Sequence, residues 1–532
     1  MTAAAGSPAL STGAAPGSYR ELLIIALPLM LSAGTQSLMH IVDRVFLTGL
    51  SATALAASLP AGILFWSCLS LPIGTVSYIN AFVAQYEGAG QRERVAASVA
   101  QGAWFSIIAG LLLLGIAPFS HEIFRWIGHE PHIAVPEGEY FYWLCLGAIP
   151  ALLASTLSTF FSGRGQTTIC LYVNIVSVAA NALLDYAMIF GNWGFPRWGI
   201  AGAAIATNLA NCLACLIYVG LILRPAVNRQ YQITSNWHWD NTLLARLLKF
   251  GMPSGLQMFV DVAGFTVFML IIGLIGEAEL AATNVAFNLN TLAFIPVMGL
   301  GIAVSTLVGQ RIGEGRPQLA ESTTWKAFMI GGGYMLVFGA VYILLPDLLL
   351  LPYAISAGAA ETILPAMSNG DAVAALRPLA ENMTPAELTQ AKSESFTQIR
   401  NTVVVLLRFV TLYSFFDAMV IIFGSAIRAA GDTRFSMVAT GCSAWILMVV
   451  PTWLTWKYYG PDLVLSWSFC AFYVIVLGFI FLARFLQGKW KTMKIIEHTA
   501  AEPGYRPEDQ AAGSERGESR DGLAWEAVRS EG

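Results

Sequence analysis

Val83-Ala84-Gln85-Tyr86-Glu87-Gly88-Ala89-Gly90 returns 225 positions later as Val308-Gly309-Gln310-Arg311-Ile312-Gly313-Glu314-Gly315. The same offset carries Leu55-Ala56-Ala57 onto Leu280-Ala281-Ala282, Gly74 onto Gly299 and Pro28 onto Pro253, and it holds without a gap over residues 28–90. The single matches are weak, but they keep one register. An internal repeat set in apolar sequence points to two similar helical bundles around a shared cavity. Further along, Gly165-Gln166-Thr167 pairs with Gly431-Asp432-Thr433 at an offset of 266, and the 41 extra residues fall in a polar stretch at 352–398.

The 532-residue chain is 56% hydrophobic and 12% charged, with a mean hydropathy of +0.63, too little charge to cover a water-soluble protein of this size. The apolar residues come in runs of roughly the 20 residues that cross about 30 Å of hydrocarbon. These runs are 22–48, 54–84, 95–118, 138–161, 168–190, 199–223, 244–275, 280–309, 321–351, 401–427, 434–456 and 464–486. Their length, and the lack of strict alternation, favour helices over a barrel. The expected fold is an all-α polytopic membrane protein with twelve transmembrane helices in two six-helix bundles. Six spans per half is an even number, so both halves enter the membrane in the same direction. The repeat is therefore parallel, with its pseudo-two-fold axis along the membrane normal.

The expected segments are a disordered cytoplasmic N-terminus (1–20), the first bundle (21–225), a cytoplasmic linker (226–243), the second bundle (244–486) with an extracytoplasmic insertion at 352–398, and a cytoplasmic tail (487–532). The insertion contains one amphipathic helix at 385–399 and reads as a surface elaboration or a partial lid. Arg92, Arg94, Arg164, Arg224, Arg229, Arg246, Lys249, Arg311, Arg316, Lys326, Arg428 and Arg434, with Arg484, Lys489, Lys491 and Lys494 after the last span, fall on one side of the membrane. The other side holds Arg125, Arg197, Arg377, Lys392, Arg400 and Lys457. That asymmetry places both termini in the cytoplasm. The first twenty residues lack an apolar core, so no cleavable signal is expected.

Cys212 and Cys215 form a CxxC inside a helix with no second pair, and read as buried small hydrophobes. No GxxxxGK[ST] stretch, catalytic triad or metal cluster stands out. The chain is therefore read as a non-enzyme without a cofactor, and with no nucleic-acid partner. Its energy would come from an ion gradient or a partner protein.

An ionised carboxylate near the bilayer centre costs roughly 2.5–3.5 kcal/mol on insertion scales, so an acid found there faces a cavity or a partner. Asp43 lies in span one, Asp185 in span five with Asn181 one turn before it, and Thr207 in span six, all at similar depth in the first bundle. Two carboxylates, an amide and a hydroxyl suit a proton shared by a carboxylate pair, or a Na+ held by hard oxygens at Asp43 and Asp185. The competing reading has Asp43 and Arg44 marking the outer end of span one, with Asn181 as interhelical glue. His40 reads as structural.

Asp261 in span seven and Asp417 in span ten have no basic residue at i±3 or i±4. They suggest a second cation or substrate site, against the alternative of a cross-helix hydrogen bond. Asp347, beside Pro346, reads as an acid at the outer end of span nine. Pro28 and Pro253 are candidate bending points. Phe65, Trp66, Tyr78, Phe259, Phe287, Phe294, Tyr413 and Phe416 are candidates for an apolar surface that stacks on planar cations.

VAQYEGAG with its partner VGQRIGEG, NALLDY (from Asn181) followed by GIAGAAIAT (from Gly199), and AIRAAGDT (from Ala426) occur here in an order and spacing that resemble the multidrug and toxic compound extrusion (MATE) transporters. The similarity covers about residues 20–486 outside the insertion. It implies a secondary active exporter of the plasma (inner) membrane, working as a monomer by alternating access. H+ or Na+ would enter as cationic or amphipathic small molecules leave. By resemblance, Asp43, Asn181, Asp185 and Thr207 match the ion site of the DinF-like branch, and Asp261 and Asp417 match acids of the NorM-like branch. Having both sets leaves the branch and the ion open. The alternative is a lipid-linked oligosaccharide flippase of the same superfamily. Such proteins tend to carry cationic residues in the central cavity, whereas here the intramembrane charges are mainly acidic, with Arg408 the chief exception. A non-transporting scaffold would account for the insertion but not for acids buried in both halves.

Overall fold

Among the described residues eleven helices are long and apolar enough to cross a membrane, and a pair of helices meeting at a 44° bend makes twelve when counted as one span. The computed structural model describes residues 14–350 and 385–497. Span one is α1 (Tyr19–Leu50), span two is α2 (Ala52–Ser77) continued by α3 (Ile79–Gly88), and span three is α4 (Arg92–Ile116) leading into α5 (Ser120–Ile127). Span four is the bent pair α6 (Pro131–Leu146) and α7 (Ala148–Ser162). Then come α8 (Thr167–Phe190), α9 (Ile200–Ile222), a short α10 (Pro225–Tyr231) in the linker, α11 (Asn241–Ile275), α12 (Glu277–Gly313) and α13 (Pro317–Leu344). Span ten belongs to α14 (Pro385–Ala430). Span eleven is α15 (Thr433–Ser443), a π-helical turn Ala444–Val449 and α16 (Val450–Tyr458), and span twelve is α17 (Leu463–Leu486).

The expected amphipathic helix at 385–399 is not a separate element: it is the first part of α14, which runs on into span ten. The rest of the expected insertion, the first residues of the N-terminus and the tail beyond 497 lie outside the described residues.

Helix starts follow their capping residues. Ser18 and Ser51 accept the backbone N–H of Glu21 and Ala54, and Asp240 accepts those of Thr242 and Leu243 at the head of α11. Gly128 and Gly191, at φ 93° and 75°, end α5 and α8 in the left-handed region that a side chain disfavours. Pro28 and Pro253 sit inside α1 and α11, which remain continuous through them. Large apolar side chains such as Leu112, Leu216, Leu270 and Leu336 stand exposed along the spans. An apolar surface of that extent is stable only against lipid, and the chain is a multi-pass membrane protein.

Three of the apolar clusters among the described residues show how the interior is divided. One belongs to the first half alone and includes Leu47, Ala57, Phe141 and Ala204. One belongs to the second half alone and includes Phe268, Val410 and Trp467. The third joins the halves: Leu22, Ile25, Ala26 and Leu29 of α1 pack with Leu300, Val304, Leu307 and Val308 of α12 and with Ile422 and Phe423 of α14. It lies at the end of the molecule where α1 begins and α17 ends, here called the terminal end.

Glycines let the backbones meet there in pairs related by the repeat. A Cβ on Gly74 would lie 2.8 Å from Gly255 Cα, and one on Gly299 would lie 2.5 Å from Met30 Cα. Met30 and Gly255 are themselves 225 residues apart. Toward the opposite end each half keeps its own core.

Candidate functional site

α1, α8 and α9 bring the four expected residues of the first half together. Packing of α1 on α8 turns Asp43 toward a face of α8 built at helical spacing from Asn174, Ser177, Asn181 and Asp185. Asp43, Asn181 and Asp185 are buried. The carboxyl groups of Asp43 and Asp185 are within hydrogen-bonding reach of each other. With its nitrogen turned to the acids, the Asn181 amide donates to Asp43 Oδ1 at 3.0 Å and to Asp185 Oδ2 at 3.3 Å. Thr207 Oγ1 lies 3.4 Å from that amide and bonds back to Ala203 O at 3.1 Å. Asp185 Oδ1 is buried and has no partner. Two carboxyl groups this close disfavour ionisation of both at once.

One member escaped the sequence reading. Tyr140 of α6 is buried within electrostatic range of both Asp43 and Asp185. His40 and Arg44 flank Asp43 on α1 and are exposed. The polar face also continues toward mid-membrane: Asn174 donates to Ser32 Oγ of α1 at 2.5 Å, and Ser177 to Ala210 O of α9 at 3.0 Å.

In the second half Asp261 of α11 and Asp417 of α14 are not hydrogen-bonded to each other among the described residues. They converge instead on Tyr473 of α17, which lies in electrostatic range of both. Tyr413, one turn before Asp417 on α14, is buried beside it. Gln257, one turn before Asp261, donates to Thr440 Oγ1 at 3.0 Å. Gln257 Oε1, Asp261 Oδ1 and Asn290 Oδ1 are buried without partners. Gln257 and Asp261, one turn apart on α11, thus each leave a buried oxygen unmet among the described residues. Arg428, at the terminal end of α14, is the basic group that Asp261 senses.

The candidate aromatic surface divides. Phe287 stacks on Trp467 at 4.8 Å in the core, and Tyr78 is buried with its hydroxyl on Arg428 O at 2.8 Å, so neither lines an open surface. Trp66 and Phe259 are exposed. Asp347 pairs with Arg400 at the end of the molecule opposite the termini. The seven cysteines are free; Cys212 and Cys215 are half-buried rather than buried as expected, and Cys215 donates to Pro150 O at 3.1 Å.

The sequence matches the MatE family model over residues 28–187 and 253–368, and the two stretches begin 225 residues apart, which is the repeat offset. The Probable multidrug resistance protein NorM of Rhizobium meliloti is 29% identical over 332 residues, covering 62% of this chain and 71% of that protein. The multidrug resistance protein PmpM of Pseudomonas aeruginosa is 26% identical over 435 residues, covering 80% of this chain and 81% of its own. Among solved structures, one described as the outward-facing conformation of a multidrug resistance MATE family transporter superposes with a TM-score of 0.74 at 18% identity, covering 90% of this chain and 98% of that one. A crystal structure of MATE in the bent conformation gives a TM-score of 0.73 at 18% identity, covering 90% of this chain and 97% of that one.

Proposed function

The chain belongs to the MatE family, and from that membership we propose that it is a secondary active multidrug exporter driven by H+ or Na+. The observation that carries the coupling is the buried pair Asp43–Asp185 with Asn181 donating to both acids. A cation binds there by neutralising the pair. Protonation lets the two acids share a hydrogen bond, while ionisation sets them in repulsion and pulls the Asn181 amide toward the charge. Thr207 fixes the far end of that amide. Tyr140 supplies a hydroxyl beside the charge without adding another.

Asp261, Asp417, Tyr413 and Tyr473 form the second site, read as a place for a cationic group of the substrate or for a second coupling cation. Exposed Trp66 and Phe259 offer apolar faces for organic cations. With both termini in the cytoplasm, the closed terminal end is the cytoplasmic one. Pro28, between Asp43 and the terminal end of α1, is where that helix would bend as the site fills, and Pro253 is the corresponding point of α11.

The flippase reading is weaker, because the acids Asp261 and Asp417 occupy the place where a pyrophosphate would need cations. The test is substrate efflux from proteoliposomes with ΔpH and ΔpNa imposed separately. Coupled efflux by the wild type that disappears in both Asp43→Asn and Asp185→Asn supports the assignment. Coupling by either gradient that survives both substitutions overturns it.

A further inference from the structure

The halves are held at the terminal end by hydrogen bonds that obey the same two offsets as the sequence. Gln85 of α3 donates its Nε2 to Ala429 O at 2.8 Å, and Gln310 of α12 donates its Nε2 to Gly163 O at 2.8 Å. Gln85 and Gln310 are 225 residues apart, and Gly163 and Ala429 are 266 apart. Each glutamine therefore reaches the turn after the fourth span of the opposite half. Both are buried.

The backbones close on the same residues. A Cβ on Gly88 would collide with Gln310 O, and one on Gly313 with Gln85 O. One residue before each glutamine, a Cβ on Gly309 would lie 2.8 Å from Ala84 Cβ, on the pseudo-two-fold axis.

The symmetry is broken by the segment after span twelve. Gly488, at φ 71°, turns the chain back, Trp490 stacks on Phe485 at 5.0 Å, and Lys491 pairs with Glu321 at 2.7 Å. The chain then delivers the Ile495 N–H to Gln85 Oε1 at 3.1 Å, with the Ile495 side chain against Gly431. Both ends of the Gln85 amide are thus met by the second half, one by Ala429 and the other by Ile495.

We propose that Gln85 and Gln310 are the paired gate residues of the terminal end, and that residues 488–495 form a strap latching the gate shut through Gln85. The proposal rests on the alternating-access reading above. An amide suits the task. Its bonds to backbone are worth only about five-fold each in an equilibrium, and they exchange for water when the halves part. Carbonyls and N–H groups left by the glutamines can be met by water once the halves part, so opening leaves no polar group unpaired.

The test is hydrogen–deuterium exchange of the full-length protein in lipid nanodiscs, read over residues 80–90 and 303–313. Gln85→Met and Gln310→Met keep the bulk and remove the bonds. Gln310→Met, which removes one bond, is expected to speed exchange of both segments about five-fold, and Gln85→Met, which removes two, about twenty-five-fold. Ile495→Pro removes one N–H, so it should act like a weaker Gln85→Met and add nothing in combination with it. Where a Met variant is poorly folded by its melting curve, Gln85→Asn and Gln310→Asn, whose amides fall one methylene short, take its place.

Exchange within two-fold of wild type in both glutamine variants overturns the gate, and an Ile495→Pro effect that adds fully to Gln85→Met overturns the latch. Efflux is measured on the same wild-type preparation. Predicted exchange changes in a protein that moves no organic cation sink the transport reading and leave the gate standing. Normal efflux with unchanged exchange in the variants sinks the gate alone.

Discussion

Asp185→Asn should uncouple transport without unfolding the protein. Asparagine is nearly isosteric with aspartate, so the buried contacts of Asp185 with Asp43 and Asn181 keep their shape. The new amide gives an ionised Asp43 a permanent donor, so stability should stay within about 1 kcal/mol of wild type. What disappears is the second ionisable group of the pair. If the pair carries one proton or one Na+ inward for each monovalent organic cation moved outward, the exchange moves no net charge, so a ten-fold H+ or Na+ gradient, about 1.4 kcal/mol, sustains roughly a ten-fold substrate gradient. With Asp185 amidated the pair no longer exchanges that charge, and the steady-state gradient should fall to about one-fold while downhill exchange continues. The assay is steady-state accumulation of a fluorescent organic cation in proteoliposomes at set ΔpH and ΔpNa, with thermal unfolding on the same protein. A variant that still builds more than half of the wild-type gradient refutes the reasoning, because the charge-carrying step would then lie elsewhere.

Gly299→Val should cost about 1–3 kcal/mol through overpacking, because its Cβ would lie 2.5 Å from Met30 Cα where backbone meets backbone; chemical denaturation in detergent reads this, and a neutral result would mean that the halves do not close there. Glu21→Gln should loosen the terminal end. Glu21 is buried against Arg311 and accepts the Gly17 N–H at 2.6 Å, while Glu314 still holds Arg311 at 2.8 Å, so the expected loss is about 1–3 kcal/mol rather than that of a fully orphaned charge. Faster exchange of α1 residues 19–26 would show it, and unchanged exchange would count against it. Asp240 caps α11 outside the spans. The Thr242 hydroxyl, with the Leu243 and Thr242 N–H groups and nearby Arg94, holds its carboxyl below the usual carboxylate value. A depressed folded value means stability present above the unfolded value, about pH 4, and lost as pH falls through the folded one. Asp240→Asn should flatten that acid limb of the melting curve, and Asp240→Ala should cost about 1 kcal/mol at neutral pH; an unaltered acid limb in Asp240→Asn would refute the assignment.

The residues that were legible in the sequence are those whose side chains are out of place in lipid. Asp43, Asn181 and Asp185 are polar groups in apolar runs, and their helical spacing alone predicts a common face. Asn174 and Ser177 lie on that face at the same spacing, but Asn and Ser are ordinary enough in spans to pass unremarked. Tyr140 was hidden for a different reason: a tyrosine near a span edge is the usual sign of the membrane interface. Asp261 and Asp417 were visible singly, whereas their convergence on Tyr473 depends on how three helices rotate, which no one-dimensional pattern records. The glutamines of the terminal end stood in the repeated octapeptide from the start. Their role was invisible because their partners are a backbone carbonyl at Ala429, another at Gly163 and an N–H at Ile495, groups that every residue but proline carries. The break in register beyond the ninth span was readable. That its last part is already the beginning of α14 was not, because an amphipathic stretch looks the same whether it ends or continues into the membrane.

The division between symmetric and asymmetric features has a mechanical consequence. The closing contacts, Gln85 with Gln310 and Gly74 with Gly299, come in pairs, so the halves can part about one axis without either being strained alone. The cation-binding groups do not come in pairs: Asp43 falls opposite Phe268, and Asp261 opposite Gln36. A symmetric hinge has no preferred direction of response, so a coupled cycle needs one helix that joins an asymmetric site to the hinge. α1 is placed to do so. Asp43 lies toward one end of it, Glu21 with its Arg311 contact lies near the other, and the 22 residues between them span about 33 Å of helix with Pro28 on the way. Neutralising the pair replaces the repulsion of two carboxylates with a shared hydrogen bond and draws the far part of α1 toward α8, and a shift there reaches the Glu21–Arg311 contact through one continuous helix. α11, the repeat-related helix, carries Asp261 only eight residues beyond Pro253 and caps its terminal end with Asp240 on its own backbone. Its own ion pair, Asp240 with Arg94 of α4 at 3.3 Å, is partly exposed, whereas the Glu21–Arg311 pair of α1 is buried, so α1 rather than α11 is the helix through which an ion bound on one side can open the gate on the other.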